Sequence, residues 1–179
     1  HALATLDADY LEENLVDAES LYNAGWSHGK EKMGNTPDLA KGSFYYNPVT
    51  DSPGTKEERQ LYKYSYIDNL WPDEAVLPGF RQHAVRLGII LTNSCVELSR
   101  HLDRYVVSQD KTYEPFLYKH LKGTEKAKAR LLYYFPLQET SATAAAEDSW
   151  IGWHNDSGFL TALAGDIYVD HQTGKIVEN

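Results

Sequence analysis

The sequence predicts an α+β protein, with helices in its first two thirds and strands gathered in the last third. Two observations lead there. Between residues 79 and 107, Phe80, Ala84, Leu87, Leu91, Cys95, Leu98, Leu102 and Tyr105 recur every three or four positions, which is the signature of one long amphipathic helix. After residue 128 the chain changes character, and short runs rich in Leu, Ile, Val, Tyr, Trp and Phe alternate with turn residues, the pattern of strands. Helices first and strands last argue for a sheet supported by helices rather than for an alternating parallel fold.

The elements follow in order. Residues 6 to 23 read as a helix, because Leu6, Tyr10, Leu11, Leu15, Ala18, Leu21 and Tyr22 fall at helical spacing ahead of Gly25 and Gly29. Residues 26 to 60 are rich in Gly, Pro, Asn, Asp and Ser and predict a long loop, with a helical turn near Pro37-Asp38-Leu39. Leu61 to Ile67 predicts a short strand, and Leu70-Trp71-Pro72-Asp73 a turn. The long helix over 79 to 107 is expected to lay its Phe80–Leu87–Leu91–Leu98–Leu102 stripe on the sheet. A short helix is predicted from Glu114 to Leu121, stopped by Gly123. Strands are predicted at Leu131 to Phe135, Trp150 to His154, Phe159 to Ala164 and Ile167 to Val169. A turn at Asp170-His171-Gln172-Thr173-Gly174 then leads into Lys175-Ile176-Val177. The polar, Ala-rich stretch from Gln138 to Asp148 predicts a loop.

Composition narrows the function. At 179 residues, 42% hydrophobic and 24% charged, this is one domain's worth of ordinary globular sequence. A net charge of −9 argues against nucleic-acid binding, which needs a basic surface. The densest basic stretch, Lys119 to Arg130, is interrupted by Glu125 and reads as a solvated helix end and linker. No apolar run is long enough for a membrane span. The single cysteine, Cys95, excludes an internal disulfide framework and fits a reducing compartment such as the cytoplasm. Its place among Ile89, Ile90, Leu91 and Leu98 makes it a buried small residue rather than a nucleophile.

The chemistry concentrates in one run, Trp150-Ile151-Gly152-Trp153-His154-Asn155-Asp156-Ser157-Gly158-Phe159-Leu160-Thr161-Ala162-Leu163. On a strand, residues i and i+2 share a face, so His154 and Asp156 can converge on one metal ion. An imidazole and a carboxylate held in this way make up two thirds of the 2-His-1-carboxylate triad of non-haem Fe(II). Taken alone, a His-x-Asp is more often a solvated or hydrogen-bonded pair. The extended run, however, resembles the His-Thr-Asp-x-Gly-x-Leu-Thr-Leu-Leu signature of the isopenicillin N synthase-like 2-oxoglutarate/Fe(II)-dependent oxygenases. Arg130-Leu131-Leu132-Tyr133-Tyr134-Phe135-Pro136 is similar to the strand that precedes the metal strand in that family. Pro78-Gly79-Phe80 and Pro37 to Tyr45 add weaker matches, so the resemblance spans about Leu21 to Gly165.

The resemblance implies a helical N-terminal half packed on a double-stranded β-helix, or jelly roll. It divides this single domain into a mainly helical support region, 1–127, and the first jelly-roll strands with the metal motif, 128–179. It implies Fe(II) as cofactor, 2-oxoglutarate and O₂ as cosubstrates, and oxidation of a small molecule. His154 and Asp156 carry over as metal ligands, and Tyr133 and Phe135 as residues of the cosubstrate or substrate pocket. The family often has a tyrosine where Phe135 stands; Tyr133, on the same strand face, can supply that hydroxyl, and two packed core aromatics are the alternative. The family's second His and its Arg-x-Ser clamp have no counterpart. His171 comes too early and sits in a turn, where a solvated role is expected, and no Arg follows Arg130. The strands after residue 128 number about five, where a jelly roll needs about eight. With a start at His1 and an end at Asn179, this predicts a piece of a longer protein, and residues 1–179 are expected not to turn over 2-oxoglutarate by themselves. The alternative is a non-catalytic or degenerate jelly-roll binding protein; a cupin-like zinc hydrolase is a more distant third reading.

Overall fold

A computed structural model describes residues 1–30, 32–33, 36–136 and 155–177. Its elements are a 3₁₀ turn η1 (Leu3–Thr5), α1 (Ala8–Leu15), β1 (Gly25–His28), β2 (Lys32–Met33), β3 (Thr36–Pro37), β4 (Lys41–Tyr46), α2 (Lys56–Leu61), α3 (Phe80–Gln109), α4 (Leu117–Gly123) and β5 (Ala129–Tyr134). Helices and a small antiparallel sheet of order β1-β4-β5 make a mixed α and β architecture, and β2 and β3 pair separately.

Asp7 opens α1 by accepting hydrogen bonds from the Asp9 and Tyr10 backbone N–H groups, an N-cap that satisfies two donors of the first turn. The helix stops at Leu15, earlier than the predicted residue 23. Val16 turns extended and bridges to Gly25. Asp17 and Ser20 then take the local backbone: Ser20 N–H donates to the Asp17 carboxylate, and Asn23 N–H donates to the Ser20 hydroxyl. Short polar side chains of this kind compete with helical hydrogen bonding.

The predicted loop over 26 to 60 contains most of the sheet. In β4, Gly42, Phe44 and Tyr46 face the core, while Lys41, Ser43 and Tyr45 face the other way. Phe44 is fully buried, with its ring against Tyr46, Trp71 and Phe80 at centroid distances of 6.1, 5.7 and 5.2 Å. Leu3, Leu11, Leu15, Trp26 and Ala84 complete this core. Burying each large side chain stabilises by roughly 1.5–3 kcal/mol. Gly42 is required here, because a Cβ would run into the indole of Trp26. β5 pairs with β4 from Lys41↔Tyr134 to Tyr46↔Ala129, so the sheet draws strands from both sides of residue 127.

The predicted strand at Leu61 to Ile67 is instead the end of α2 and a turn. Thr55 and Glu58 form a capping box, with Glu58 N–H donating to the Thr55 hydroxyl and Thr55 N–H to the Glu58 carboxylate at 2.8 Å. That local exchange starts a helix and leaves the alternating tyrosines without a partner strand.

The 30-residue α3 forms where periodicity places it, but it presents a different face to the protein. Its buried residues are Ala84, Gly88, Ser99 and Asp103. Gly88 lies so close to Pro48 that a Cβ would clash, and the Tyr46 hydroxyl donates to the Ala84 carbonyl at 2.7 Å. Small side chains let the helix approach closely. Of the predicted stripe, Phe80 packs on Phe44, Leu91 and Leu102 are half-buried, and Leu87 and Leu98 are 38% and 50% exposed, which corrects the expectation that the whole stripe lies on the sheet. Cys95, expected to be buried, is half-buried. α4, predicted from 114 to 121, runs from Leu117 to Gly123 and packs back on α3. Asp103 joins the two, accepting from the Tyr113 hydroxyl at 2.7 Å and from Leu117 and Tyr118 N–H.

The strands expected at 159–164 and 167–169 are not formed; among the described residues after 155 the only ladder is a Val169↔Ile176 bridge. The predicted turn between is present, with Gly174 N–H donating to the Asp170 carbonyl and Asp170 also capping Thr173. The predicted strand Trp150 to His154 lies outside the described residues.

Candidate functional site

Of the two metal ligands that the resemblance implies, the structure describes Asp156; His154 lies outside the described residues. Asp156 is exposed, and its carboxylate accepts a hydrogen bond from the Thr161 hydroxyl at 2.7 Å. Thr161 is the threonine of the same motif, so the run from Asp156 to Thr161 folds back on itself and orients its own carboxylate. Among the described residues no group of three or more His, Cys, Asp and Glu side chains is placed to hold a metal ion.

Tyr133 and Phe135 are brought together. Their side chains share one face at the β5 edge, with ring centroids 5.0 Å apart, while Tyr134 points to the opposite face. Phe135 stacks on His28 at 4.6 Å. Tyr133 forms one wall of a cleft of about 250 Å³. This cleft lies between η1 and the apolar sheet face, and Leu3, Ala4, Trp26, Phe44 and Phe80 line it as well. At its rim the Tyr133 hydroxyl meets His171 Nδ1 at 2.8 Å, and His1 Nε2 lies 2.9 Å from the His171 carbonyl. Partial burial pushes the Tyr133 phenol above its ordinary value, so it stays protonated at neutral pH. His171 is therefore an exposed turn residue, as expected, but its ring is bonded to the sheet rather than simply solvated.

Sequence reasoning did not anticipate Trp26 and Phe44 as walls of this cleft. The signal available was the alternation of Gly42, Phe44 and Tyr46, masked by the surrounding Gly, Ser and Asn. The opposite sheet face is polar. Arg130 donates to the Ser43 hydroxyl through Nε at 3.1 Å and Nη2 at 2.7 Å, and Lys41 pairs with Asp38 at 2.8 Å. A second hub lies at the start of α3, where Asp51 accepts from Asn69, Trp71 and Arg81. Partial burial opposes its charge, but those donors prevail and hold the carboxyl below the usual range.

No family model, curated protein or solved structure matches this chain. No helix among the described residues is long and apolar enough to cross a membrane.

Proposed function

We propose that this chain carries part of a non-haem Fe(II)/2-oxoglutarate-dependent oxygenase that oxidises a small molecule with O₂ in a reducing compartment such as the cytoplasm. The β5 strand and the motif run would belong to a jelly roll. The observation that carries the reading is the motif from His154 to Leu163, and the hydrogen bond within it from Thr161 to Asp156 supports it. Carboxylates that ligate metals are characteristically oriented by such a second partner. His154 and Asp156 would be the metal ligands, and Tyr133 and Phe135 pocket residues. The described residues do not by themselves make up a metal site. A second His and a carboxylate-binding Arg would have to come from residues outside this sequence.

The test is a metal titration. Residues 1–179 should bind Fe(II) or Mn(II) weakly, and a polypeptide extended past Asn179 should bind stoichiometrically and form succinate from 2-oxoglutarate. In the extended polypeptide, His154→Ala and Asp156→Ala should each abolish binding, and Thr161→Val should weaken it by about 10–100-fold. Full metal binding and turnover by the His154→Ala variant would overturn the assignment. A non-catalytic binding protein on the same scaffold is the second reading. The lack of any Arg after Arg130 favours it, and absence of metal binding by the extended polypeptide would select it.

A further inference from the structure

The cleft beneath η1 shares Tyr133 with the pocket proposed above, and its walls define what it can hold. Phe44 and Phe80 meet edge to face at 5.2 Å, and Tyr133 meets His1 in the same way at 5.8 Å, so the cleft presents both ring faces and ring edges. Aromatic guests pack well against that combination. On the η1 side, Ala2 and Ala4 contribute only methyl groups, leaving the volume unfilled from above. No Lys, Arg, Asp or Glu lines it. Along those apolar walls a charged group would lose its hydration without gaining a partner. Hydrogen-bonding groups gather at one end only, where Tyr133, His171 and His1 meet. An apolar cavity of about 150 Å³ takes up benzene, so about 250 Å³ admits a second fused ring.

We propose that this cleft is a binding site for an uncharged, planar aromatic molecule of one or two rings. The cleft shares Tyr133 with the oxygenase reading, but its test is binding to the metal-free chain, so either can fail without the other. Indole is the probe and indole-3-carboxylate its charged control, titrated into the 179-residue chain while the methyl resonances of Ala4 and Leu131 are followed by NMR. Indole should shift both methyls saturably, and the carboxylate should bind more weakly by about tenfold or more. Ala4→Leu fills the cleft and should weaken indole binding by about tenfold or more while raising the melting temperature. Leu131→Phe fills it from the sheet side and serves if the first variant does not fold. If indole produces no saturable shift while Ala4→Leu raises the melting temperature, the cleft is a packing gap and the proposal falls. It falls equally if indole binds the filled variants as tightly as the parent chain, and equal binding of the carboxylate overturns the ligand class.

Discussion

Phe44 and Phe159 show how differently two regions of this chain are held. Phe44 is fully buried, with three aromatic rings around it and strands on either side. Phe159, in the motif segment, meets the Phe116 ring at 6.1 Å and is 62% exposed. The contrast extends beyond these two residues. Residues 1–136 hold the described core and the sheet, whereas 155–177 carry local devices, the Asp156–Thr161 bond, the Asp170 turn and the Val169↔Ile176 bridge, and reach the rest through Phe159 on Phe116 and His171 on Tyr133. Leu163, Ile167, Tyr168 and Ile176 in this segment are exposed. Among the described residues, the segment with the clearest chemical motif therefore leaves most of its large apolar side chains exposed, where the core segment buries them.

Five substitutions can break or sharpen that contrast. The largest effect is expected from Phe44→Ala, which removes the centre of the core and should destabilise by about 3–5 kcal/mol in denaturant unfolding. Phe159→Ala should change stability by under about 0.5 kcal/mol, and a comparable loss at both positions would erase the distinction.

Asp103 should come next, because it ties α4 to α3. Partial desolvation opposes its charge, but the Tyr113 hydroxyl and the Tyr118 and Leu117 N–H groups prevail and lower its pKa. A carboxyl whose folded pKa lies below its unfolded value stabilises fully above the unfolded value, about 3.9, and loses that contribution as pH falls through the folded one. Melting temperature should therefore fall on acidification below about pH 4. Asp103→Asn should melt several degrees lower at neutral pH and show a shallower acid slope. An unchanged slope would remove Asp103 from the account.

Tyr133→Phe tests the link between the two regions. Losing one hydrogen bond, worth about 0.5–1.5 kcal/mol, should speed amide exchange at Asp170 and Val177, whose N–H groups donate to Lys175 and Tyr168, while leaving exchange in β4 unchanged. Equal acceleration in both would show that Tyr133 supports the core instead. The smallest effect is expected at Leu98, half exposed on α3. Leu98→Gln should alter stability by no more than about 0.5 kcal/mol. A loss above about 2 kcal/mol would mean that this side chain is packed after all.

Local pattern was enough for some of this architecture. Periodicity located α3 to within a few residues, because a 30-residue amphipathic repeat outweighs any single side chain. β5 was legible from its aromatic and aliphatic run, and so was the sharing of one strand face by Tyr133 and Phe135, since side-chain alternation is a property of the strand itself. The turn at Asp170 was legible from its Asp, Thr and Gly. The motif from His154 to Leu163 is likewise a sequence observation.

Tertiary structure decided the rest. β1 and β4 read as loop because Gly and Ser are poor strand formers alone, yet Gly42 is what lets Trp26 lie flat on the sheet. The tyrosines after Leu61 alternate like a strand, but a strand needs a neighbour for its backbone, while the capping box at Thr55 starts a helix without one. Which face of α3 turns inward was settled by close approach at Gly88 and Ala84 rather than by hydrophobicity, because small side chains let the helix seat against Pro48 and Tyr46 where leucines would hold it away. The cleft at Tyr133 likewise exists only once η1, β1, β4, β5 and the start of α3 meet. Its walls come from positions as far apart in the chain as Leu3 and Tyr133, and no local pattern encodes that meeting.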